Sequence, residues 1–306
     1  MEKVLIEKLD HQGRGLAKID GKIKVIHKPN GGLVSARQAG IGLATGEYVF
    51  HLDGDDSILP DALESAYEII RKYSPDMVSF SYKQCIDGVV GNTVEDIAEE
   101  GLYNKSDIEK TIYPKLLSDK NMKNLFYFLW GKAIKRELAT KYQLLVNTRI
   151  SQGEDVSCTI PYYLEADTVY MSKKPIYLYT IRSDSLTTNF KTAQITQIAD
   201  TIIGLRNLDI KKPDGFSEQI SRYSFFMCFA ILAAAAEGKH FNSAGELKNL
   251  ISGSLHREEI RKAHFENITI KTRISLFLMK KNMIYLTFYF LFLCSQIKRI
   301  GKCGKK

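Results

Sequence analysis

An apolar strand pattern is followed directly by three acids within four residues in the run Val49-Phe-His-Leu-Asp-Gly-Asp-Asp56. Open α/β folds bind their ligands at the carboxyl ends of buried strands, which is where these acids are expected to lie. Crowded carboxylates repel one another unless a cation joins them, and a divalent metal ion that carries phosphate meets this need. A solvated acidic turn that caps the following helix is an alternative explanation when the motif is read alone.

The segments around this run alternate between strand and helix patterns. Apolar and polar residues alternate over Lys22 to Lys28 and over Asp76 to Tyr82, which predicts a strand in each place. Helices are predicted over Leu33 to Ala44, with Gly46 as the stop signal, and from Pro60 onward. This order indicates an α/β fold with a mostly parallel sheet flanked by helices.

The remainder of the chain is predicted to form a helix, two strands and then a helical region. The helix is expected from about Val156 to Leu164, and the strands over Thr168 to Met171 and Ile176 to Ile181. We therefore expect an α/β domain over residues 1–189 and a helical C-terminal region over residues 190–306.

Composition is that of a globular protein, with 44% apolar and 25% charged residues in a chain of 306. Five scattered cysteines without a C-x-x-C spacing argue against a disulfide framework or a zinc site, and for a reducing compartment. The first twenty residues are charged throughout, so no signal peptide is expected, and the longest apolar runs are shorter than the ~20 residues of a membrane span.

The net charge of +8 is concentrated at the C-terminus, where Lys271 to Lys306 holds nine Lys or Arg and no acid. Within this tail, Ile274 to Leu293 is rich in Leu, Phe, Tyr and Ile. This pattern is typical of a basic amphipathic helix that lies on an anionic membrane surface. A helix packed on the protein, with a solvated basic end, is the alternative. Nucleic acid is not expected as a partner, because long aliphatic runs separate the basic residues.

Two further segments carry residues suited to a binding site. Asn30-Gly31-Gly32 precedes a predicted helix, where glycines allow close approach of a phosphate or sugar. Arg37 is expected in the first turn of that helix, where a cation is unfavourable, which suggests a nearby acid or a bound nucleotide as its partner. Pairing with a purely structural acid explains Arg37 as well.

A second pair of acids, Glu154-Asp155 after Gly153, begins the next predicted helix. These side chains fit either a helix cap or a general base that accepts a proton from a hydroxyl group. Trp130 is the sole tryptophan and fits either a sugar-stacking platform or the core. The lone histidines His27 and His51 are more typical of packing or surface positions than of ligands.

Taken together, these residues resemble the family 2 glycosyltransferases of GT-A fold, over roughly Ile23 to Thr188. The segments that carry the resemblance are Pro29-Asn-Gly-Gly-Leu-Val-Ser-Ala-Arg37, Gly46-Glu-Tyr-Val-Phe-His-Leu-Asp-Gly-Asp-Asp56, Pro60-Asp-Ala-Leu-Glu64, Leu129-Trp-Gly-Lys132, Gly153-Glu-Asp155, Tyr177-Leu-Tyr179 and Arg182-Ser-Asp-Ser185. The resemblance implies inverting transfer of a sugar from a nucleotide-diphosphate donor, such as a UDP-sugar, to a hydroxyl of a glycan or lipid-linked acceptor. The implied setting is surface polysaccharide synthesis of a bacterial type, on the cytoplasmic face of the cell membrane.

The resemblance also implies roles for individual residues. Asp53 and Asp55 match the D-x-D motif, and with the following Asp56 they are expected to hold Mn²⁺ or Mg²⁺ and the donor diphosphate. Asp155 matches the catalytic base, with Glu154 beside it. Residues implied to bind the donor are Arg37, Asp53, Asn30 and Gly31, and those on the acceptor side are Trp130 and Lys132. Gln38 is a departure, since the family usually has Asn there.

Family members begin with a strand of the type V-S-V-I-I-P-x-Y-N and a later acid pair, D-D-G-S, which form the pocket for the nucleotide base. Met1 to Gly21 contains neither motif, and Glu2 to Leu9 resembles the helix that follows D-D-G-S. We therefore expect an N-terminally truncated domain that lacks the first strands. A catalytically inactive relative and a membrane-surface interaction module are the alternatives to an active enzyme.

Overall fold

A computed structural model of the chain describes residues 16–19, 22–181, 191–253 and 255–303. The predicted features at Glu2 to Leu9 and Arg182 to Ser185 lie outside the described residues. The described chain forms two compact units. The first comprises the described residues up to Leu116, then 125–181 and 208–212, and the second comprises 117–124, 191–207 and the described residues from Pro213 onward. A domain boundary near residue 189 remains a proposal.

The described part of the chain contains nine strands. They are β1 (Leu16–Ile19), β2 (Lys22–Val25), β3 (Tyr48–Phe50), β4 (Ser57–Ile58), β5 (Met77–Ile86), β6 (Val89–Val94), β7 (Gly101–Asn104), β8 (Lys132–Lys135) and β9 (Thr168–Ile181). Strands β1 and β2 form a separate antiparallel hairpin. The other seven share one sheet in the order β3-β8-β5-β9-β4, with β6 beside β5 and β7 beside β9.

The sheet is mixed rather than mostly parallel, although the predicted α/β class is correct. Strands β5 and β9 are parallel, with Met77 opposite Val169. The other paired strands among the described residues are antiparallel. The strand pattern before β3 was expected to begin this sheet, but Lys22–Val25 pairs only within its own hairpin among the described strands. Strand β8, from much later in the chain, lies between β3 and β5 and runs opposite to both.

Eleven α-helices belong to the described residues. They are α1 (Gly32–Leu43), α2 (Ala62–Tyr73), α3 (Lys105–Asp107), α4 (Arg136–Gln143), α5 (Glu154–Glu165), α6 (Gln194–Asn207), α7 (Phe216–Glu237), α8 (Ala244–Ser252), α9 (Leu255–Lys262), α10 (Ile270–Lys280) and α11 (Ile284–Cys303). Helix α3 continues into a π-helical turn (Ile108–Ile112) and a 3₁₀ turn (Tyr113–Lys115). The helices predicted around residues 33–44 and 156–164 are confirmed, whereas α2 begins at Ala62 and not at Pro60.

The core of the first unit lies between α2 and the sheet. The small residues Ala62 and Ala66 of α2 let the helix approach Val78 and Phe80 of β5, and all four are buried together. Burying apolar area of this kind stabilises the fold by about 25 cal/mol for each Å² removed from water. This packing fixes β5 and β9, and Tyr177 of β9 contacts the acid loop that follows β3.

The second unit is helical, with α7 as its buried centre. Helix α7 is long and apolar enough to cross a membrane, but 67% of its most apolar 18-residue stretch is buried inside the protein. Polar side chains also hold the unit together, since Glu259 accepts hydrogen bonds from Arg206 at 2.8 Å and from Ser221 at 2.7 Å. A membrane span is not needed to explain the apolarity of α7, because its neighbouring helices cover it.

Candidate active site

Arg37 on α1 joins acids from two segments that lie far apart in the sequence. Its Nη2 donates to Oδ1 of Asp53 at 2.9 Å, and its Nη1 donates to Oδ1 of Asp155 at 2.6 Å. Glu154 Oε1 lies 4.0 Å from the same Nη1, and only 9% of the Arg37 side chain is exposed. Burial lowers the pKa of Arg37, but the three acids together raise that pKa above its ordinary value. The D-x-D motif and the Glu154-Asp155 pair thus meet at one guanidinium group.

The position of α1 explains why Arg37 reaches these acids. The helix begins at Gly32, so Arg37 lies in its second turn and the expected first-turn position is wrong. Beside it, Gln38 Nε2 donates to the carbonyl oxygens of Gln143 at 3.0 Å and Val146 at 2.9 Å. Gln38 therefore caps the end of α4 and fixes α1 against it, a contact that sequence reasoning missed.

The loop after β3 gives its three acids different environments. Asp56 accepts from the Tyr177 hydroxyl at 2.8 Å and from the Thr180 backbone N–H at 2.7 Å, one bond at each carboxylate oxygen. Burial raises the pKa of Asp56 to about 6, although these two hydrogen bonds lower it. The Tyr177 hydroxyl also accepts from the backbone N–H of Asp53 at 3.1 Å. The loop is therefore tied to β9 through the Tyr177 hydroxyl and the Thr180 backbone.

Asp55 is the exposed acid of this loop, between the half-buried Asp53 and Asp56. Within the described residues, no three His, Cys, Asp or Glu side chains are grouped so that they could hold a metal ion. The predicted metal set of Asp53, Asp55 and Asp56 is thus not assembled in this structure, because Asp56 turns to Tyr177 and Thr180. A metal ion held by one or two carboxylates, with phosphate and water as its other ligands, still fits Asp55 and Asp53.

Glu154 and Asp155 begin α5 directly after Gly153, whose φ of 91° lies in the left-handed region. Burial is the largest effect on both acids and raises the pKa of each, while Arg37 opposes the rise. The pKa of Glu154 reaches about 7. A carboxylate with a raised pKa is a stronger base than one in water, which is the property that a general base requires.

Asn30 and Gly31 lie at the N-terminus of α1 and are exposed. Asn30 Oδ1 accepts from the Gly32 backbone N–H at 3.1 Å, and Lys28 Nζ donates to Ser35 Oγ at 2.6 Å. A Cβ at Gly31 would come within 2.7 Å of Ser35 Oγ, so a side chain there would displace this pair. Their role in donor binding remains a proposal.

Trp130 belongs to a stack of aromatic rings and not to an open platform. Its ring stacks on Phe128, with centroids 3.5 Å apart, and on Tyr177 and Tyr179 at 4.5 and 5.3 Å. Only 7% of Trp130 is exposed, so packing accounts for this residue. The backbones of His51 and Trp130 form an isolated parallel β-bridge. Burial and, to a smaller extent, the positive charge of Arg37 lower the pKa of His51 to about 3. A neutral, half-buried His51 agrees with a packing role.

Lys132 on β8 is fully buried beneath this stack. Its Nζ lies 4.6 Å from the centre of the Phe128 ring and has no hydrogen-bond partner among the described residues. Burial lowers the pKa of Lys132 to about 8, while the nearby acids Asp96 and Asp155 raise it. Its burial gives an incoming acceptor no direct access to the amine, so an acceptor-side role for Lys132 stays a prediction that the geometry does not favour.

Tyr177 is the site residue that sequence reasoning did not single out, although its segment was recognised. It lies in a predicted strand of alternating pattern, where a tyrosine is usually read as a packing residue. No local signal reveals that its hydroxyl reaches Asp53 and Asp56, more than a hundred residues earlier in the chain.

Comparison with known sequences identifies glycosyltransferases as relatives. The profile of the family "Glycosyl transferase family 2" matches residues 8–142. The chain is 30% identical over 172 residues to "Uncharacterized glycosyltransferase EpsJ" of Bacillus subtilis, covering 56% of this chain and 48% of that protein. It is 25% identical over 169 residues to "Poly(ribitol-phosphate) beta-N-acetylglucosaminyltransferase TarP" of Staphylococcus aureus, covering 55% of this chain and 47% of that protein. The chain thus spans about half the length of these two relatives.

A solved structure with the same fold is that of S. aureus TarS 1-349 in complex with UDP-GlcNAc. The TM-score is 0.59 at 16% identity, and the match covers 90% of this chain and 74% of that one. This likeness identifies the fold as GT-A. Residues 8–142 thus match the profile of glycosyl transferase family 2, and the chain has the GT-A fold.

Proposed function

We propose that the protein is a glycosyltransferase that moves a sugar from a nucleotide-diphosphate donor to a hydroxyl of a glycan or lipid-linked acceptor. One observation carries the proposal: Arg37 binds Asp53 of the D-x-D loop and Asp155 of α5 within 2.9 Å. These are the segments in which donor-binding and base residues were expected. Open α/β folds bind their ligands at the carboxyl ends of strands, and Asp53 of this ion-paired cluster follows the end of β3.

In the proposed reaction Asp155 acts as the general base. It accepts the proton of the acceptor hydroxyl while the hydroxyl oxygen attacks the anomeric carbon, and the bond from that carbon to the diphosphate oxygen breaks. A single displacement of this kind inverts the anomeric configuration. The raised pKa of Asp155 favours proton transfer to it, and the Arg37 contact holds the carboxylate in position. Glu154, whose Oε1 lies 4.0 Å from Arg37 Nη1, would add to the negative charge beside Asp155.

Asp55, with Asp53, would hold a divalent ion such as Mn²⁺ or Mg²⁺ together with the donor diphosphate. When bound, such an ion neutralises the charge that develops on the leaving diphosphate. Asp56 would serve instead to anchor the loop, since both of its carboxylate oxygens already accept hydrogen bonds.

We propose a UDP-sugar as the donor, and surface polysaccharide synthesis as the setting. The solved TarS structure of the same fold contains UDP-GlcNAc, and TarP is named a beta-N-acetylglucosaminyltransferase, which makes UDP-GlcNAc the first donor to test. A lipid-linked or polymeric acceptor implies work at the inner face of the cell membrane, as a peripheral protein.

The donor site is tested by calorimetric titration of the full chain with UDP, with and without Mn²⁺. We expect binding that depends on Mn²⁺ and that Asp55→Ala abolishes. Glu64→Ala, an exposed acid on α2, is the matched control and should bind UDP like the original chain. Equal binding by Asp55→Ala and the original chain would contradict the assignment of the loop.

The base is tested with Asp155→Asn, which keeps the shape of the side chain. We expect this variant to retain UDP binding and to lose sugar transfer from UDP-GlcNAc by about 10²–10⁴-fold, the usual contribution of general-base catalysis. Transfer is measured as release of UDP in the presence of candidate glycan acceptors. Full transfer activity in this variant would exclude Asp155 as the base.

A further inference from the structure

The last two described helices each expose an apolar stripe on the side away from the helical unit. The outer stripe of α10 consists of Ile270, Ile274 and Phe277, which are 77%, 38% and 59% exposed. Their spacing of four and three residues places them on one face of the helix. The buried residues Thr272, Ser275 and Met279 occupy the opposite face. Helix α10 therefore packs on the protein with one side and presents apolar side chains with the other.

Helix α11 has the same two-sided design. Ile284, Phe288 and Leu291 are at most 1% exposed and face the helical unit. The outer stripe of α11 consists of residues at i, i+3, i+7 and i+11 that are at least half exposed, namely Leu286, Tyr289, Leu293 and Ile297. Contiguous exposed apolar side chains of this kind mark interaction sites more often than isolated ones do.

The charge around the stripes identifies the kind of partner. Lys271, Arg273 and Lys281 are exposed on and directly after α10, beside its outer stripe. From Lys271 to the C-terminus there are nine basic residues and no acid. Apolar side chains flanked by cations suit an anionic bilayer, where the apolar groups enter the boundary region and the cations meet lipid phosphates. Tyr289 in the outer stripe of α11 agrees with this environment, since tyrosine is enriched at membrane interfaces.

A second copy of the chain is a less suitable partner. In a two-fold symmetric dimer each surface meets itself, so the cations beside one stripe would lie against those of the other copy. Like charges at such an interface repel, and no acid follows Glu266 in the sequence to compensate for them.

We propose that the outer stripes of α10 and α11, with the flanking cations, dock the protein on an anionic lipid surface. The helices lie along the membrane while their inner faces stay packed on the helical unit. This inference goes beyond the proposed sugar transfer and does not depend on it.

The test is cosedimentation of the full chain with vesicles, in the absence of any sugar donor. Vesicles of phosphatidylcholine with phosphatidylglycerol are compared with vesicles of phosphatidylcholine alone. We expect at least about tenfold tighter binding to the anionic vesicles, and weaker binding as salt increases, because salt screens the cations. Lys271→Gln/Arg273→Gln should weaken binding by more than about tenfold, since each basic residue near an anionic surface contributes about fivefold.

Ile274→Ser/Phe277→Ser tests the apolar contribution and should also weaken binding by at least about tenfold. Matched controls are Arg257→Gln/Arg261→Gln, which removes two exposed cations from α9, and Leu145→Ser, which removes an apolar residue that is 67% exposed. Both controls should bind like the original chain. Equal binding to the two kinds of vesicle would overturn the proposal. Unchanged binding by both Lys271→Gln/Arg273→Gln and Ile274→Ser/Phe277→Ser would overturn it as well. A dimer in sedimentation equilibrium that Phe277→Ser dissociates, without vesicle binding, would assign the surface to a second copy instead.

Discussion

Replacing Arg37 by methionine removes the cation that three acids share. The change breaks the 2.6 Å contact with Asp155 and the 2.9 Å contact with Asp53, and it leaves Glu154 without its nearby charge. Removing one partner of a buried ion pair costs about 3–5 kcal/mol. The acids are 15–29% exposed, so water relieves part of the penalty, and we expect the lower end, about 3 kcal/mol.

The loss of stability should depend on pH in a defined direction. Burial raises the pKa of Glu154 to about 7, and the pKa of Asp155 is raised as well, while Arg37 opposes both shifts. Without Arg37 both pKa values rise further. The folded variant then binds more protons than the unfolded chain from about pH 4 to above pH 7, so its stability falls as pH increases through that range. The difference from the original chain should therefore be larger at pH 8 than at pH 5.

The assay is urea unfolding followed by tryptophan fluorescence. Trp130 is the sole tryptophan and is buried in the first unit, so its emission reports on the unit that contains Arg37. Arg71→Met, at an exposed position of α2, is the control and should change the free energy of unfolding by less than about 0.5 kcal/mol. Adding Asp155→Asn to Arg37→Met should recover part of the loss, because it removes an unpaired charge. A loss no larger than that of Arg71→Met, or one equal at both pH values, would refute this reasoning.

Two further predictions concern the surroundings of the site. Tyr177→Phe keeps the stacked ring but removes the hydroxyl between Asp53 and Asp56, and should cost about 1–3 kcal/mol of unfolding free energy in the same assay, with Tyr179→Phe as the control. Lys132→Met should be at least as stable as the original chain at pH 7, because it removes a buried cation that has no hydrogen bond to any residue that the structure describes. Because the pKa of Lys132 is about 8 in the folded chain and 10.5 ordinarily, the folded original binds fewer protons than the unfolded chain between these values. As pH rises across that window, the original chain should gain stability relative to Lys132→Met, on the order of 3 kcal/mol. The control variant Lys110→Met should gain as much stability as the original chain over the same pH range.

Local patterns predicted the elements around the site well, whereas strand order and side-chain partners depended on contacts that no local pattern encodes. Helix α1 and helix α5 follow from apolar spacing and flanking glycines, and the acids after β3 are evident from composition alone. The insertion of β8 between β3 and β5 was missed, because Lys132–Lys135 is a short strand whose partners are distant in sequence. The role of Asp56 was also out of reach, since its hydrogen bonds lead to Tyr177 and Thr180.

The ties between the acid loop and β9 have a consequence for the entropy of ligand binding. A loop that must become ordered around its ligand loses conformational freedom at the moment of binding, and affinity falls accordingly. Here Tyr177 restrains the loop at both Asp53 and Asp56, so most of that ordering is completed when the chain folds. The exposed Asp55 lies between these two restrained residues. A loop that is ordered in advance in this way loses less conformational freedom when it binds a ligand.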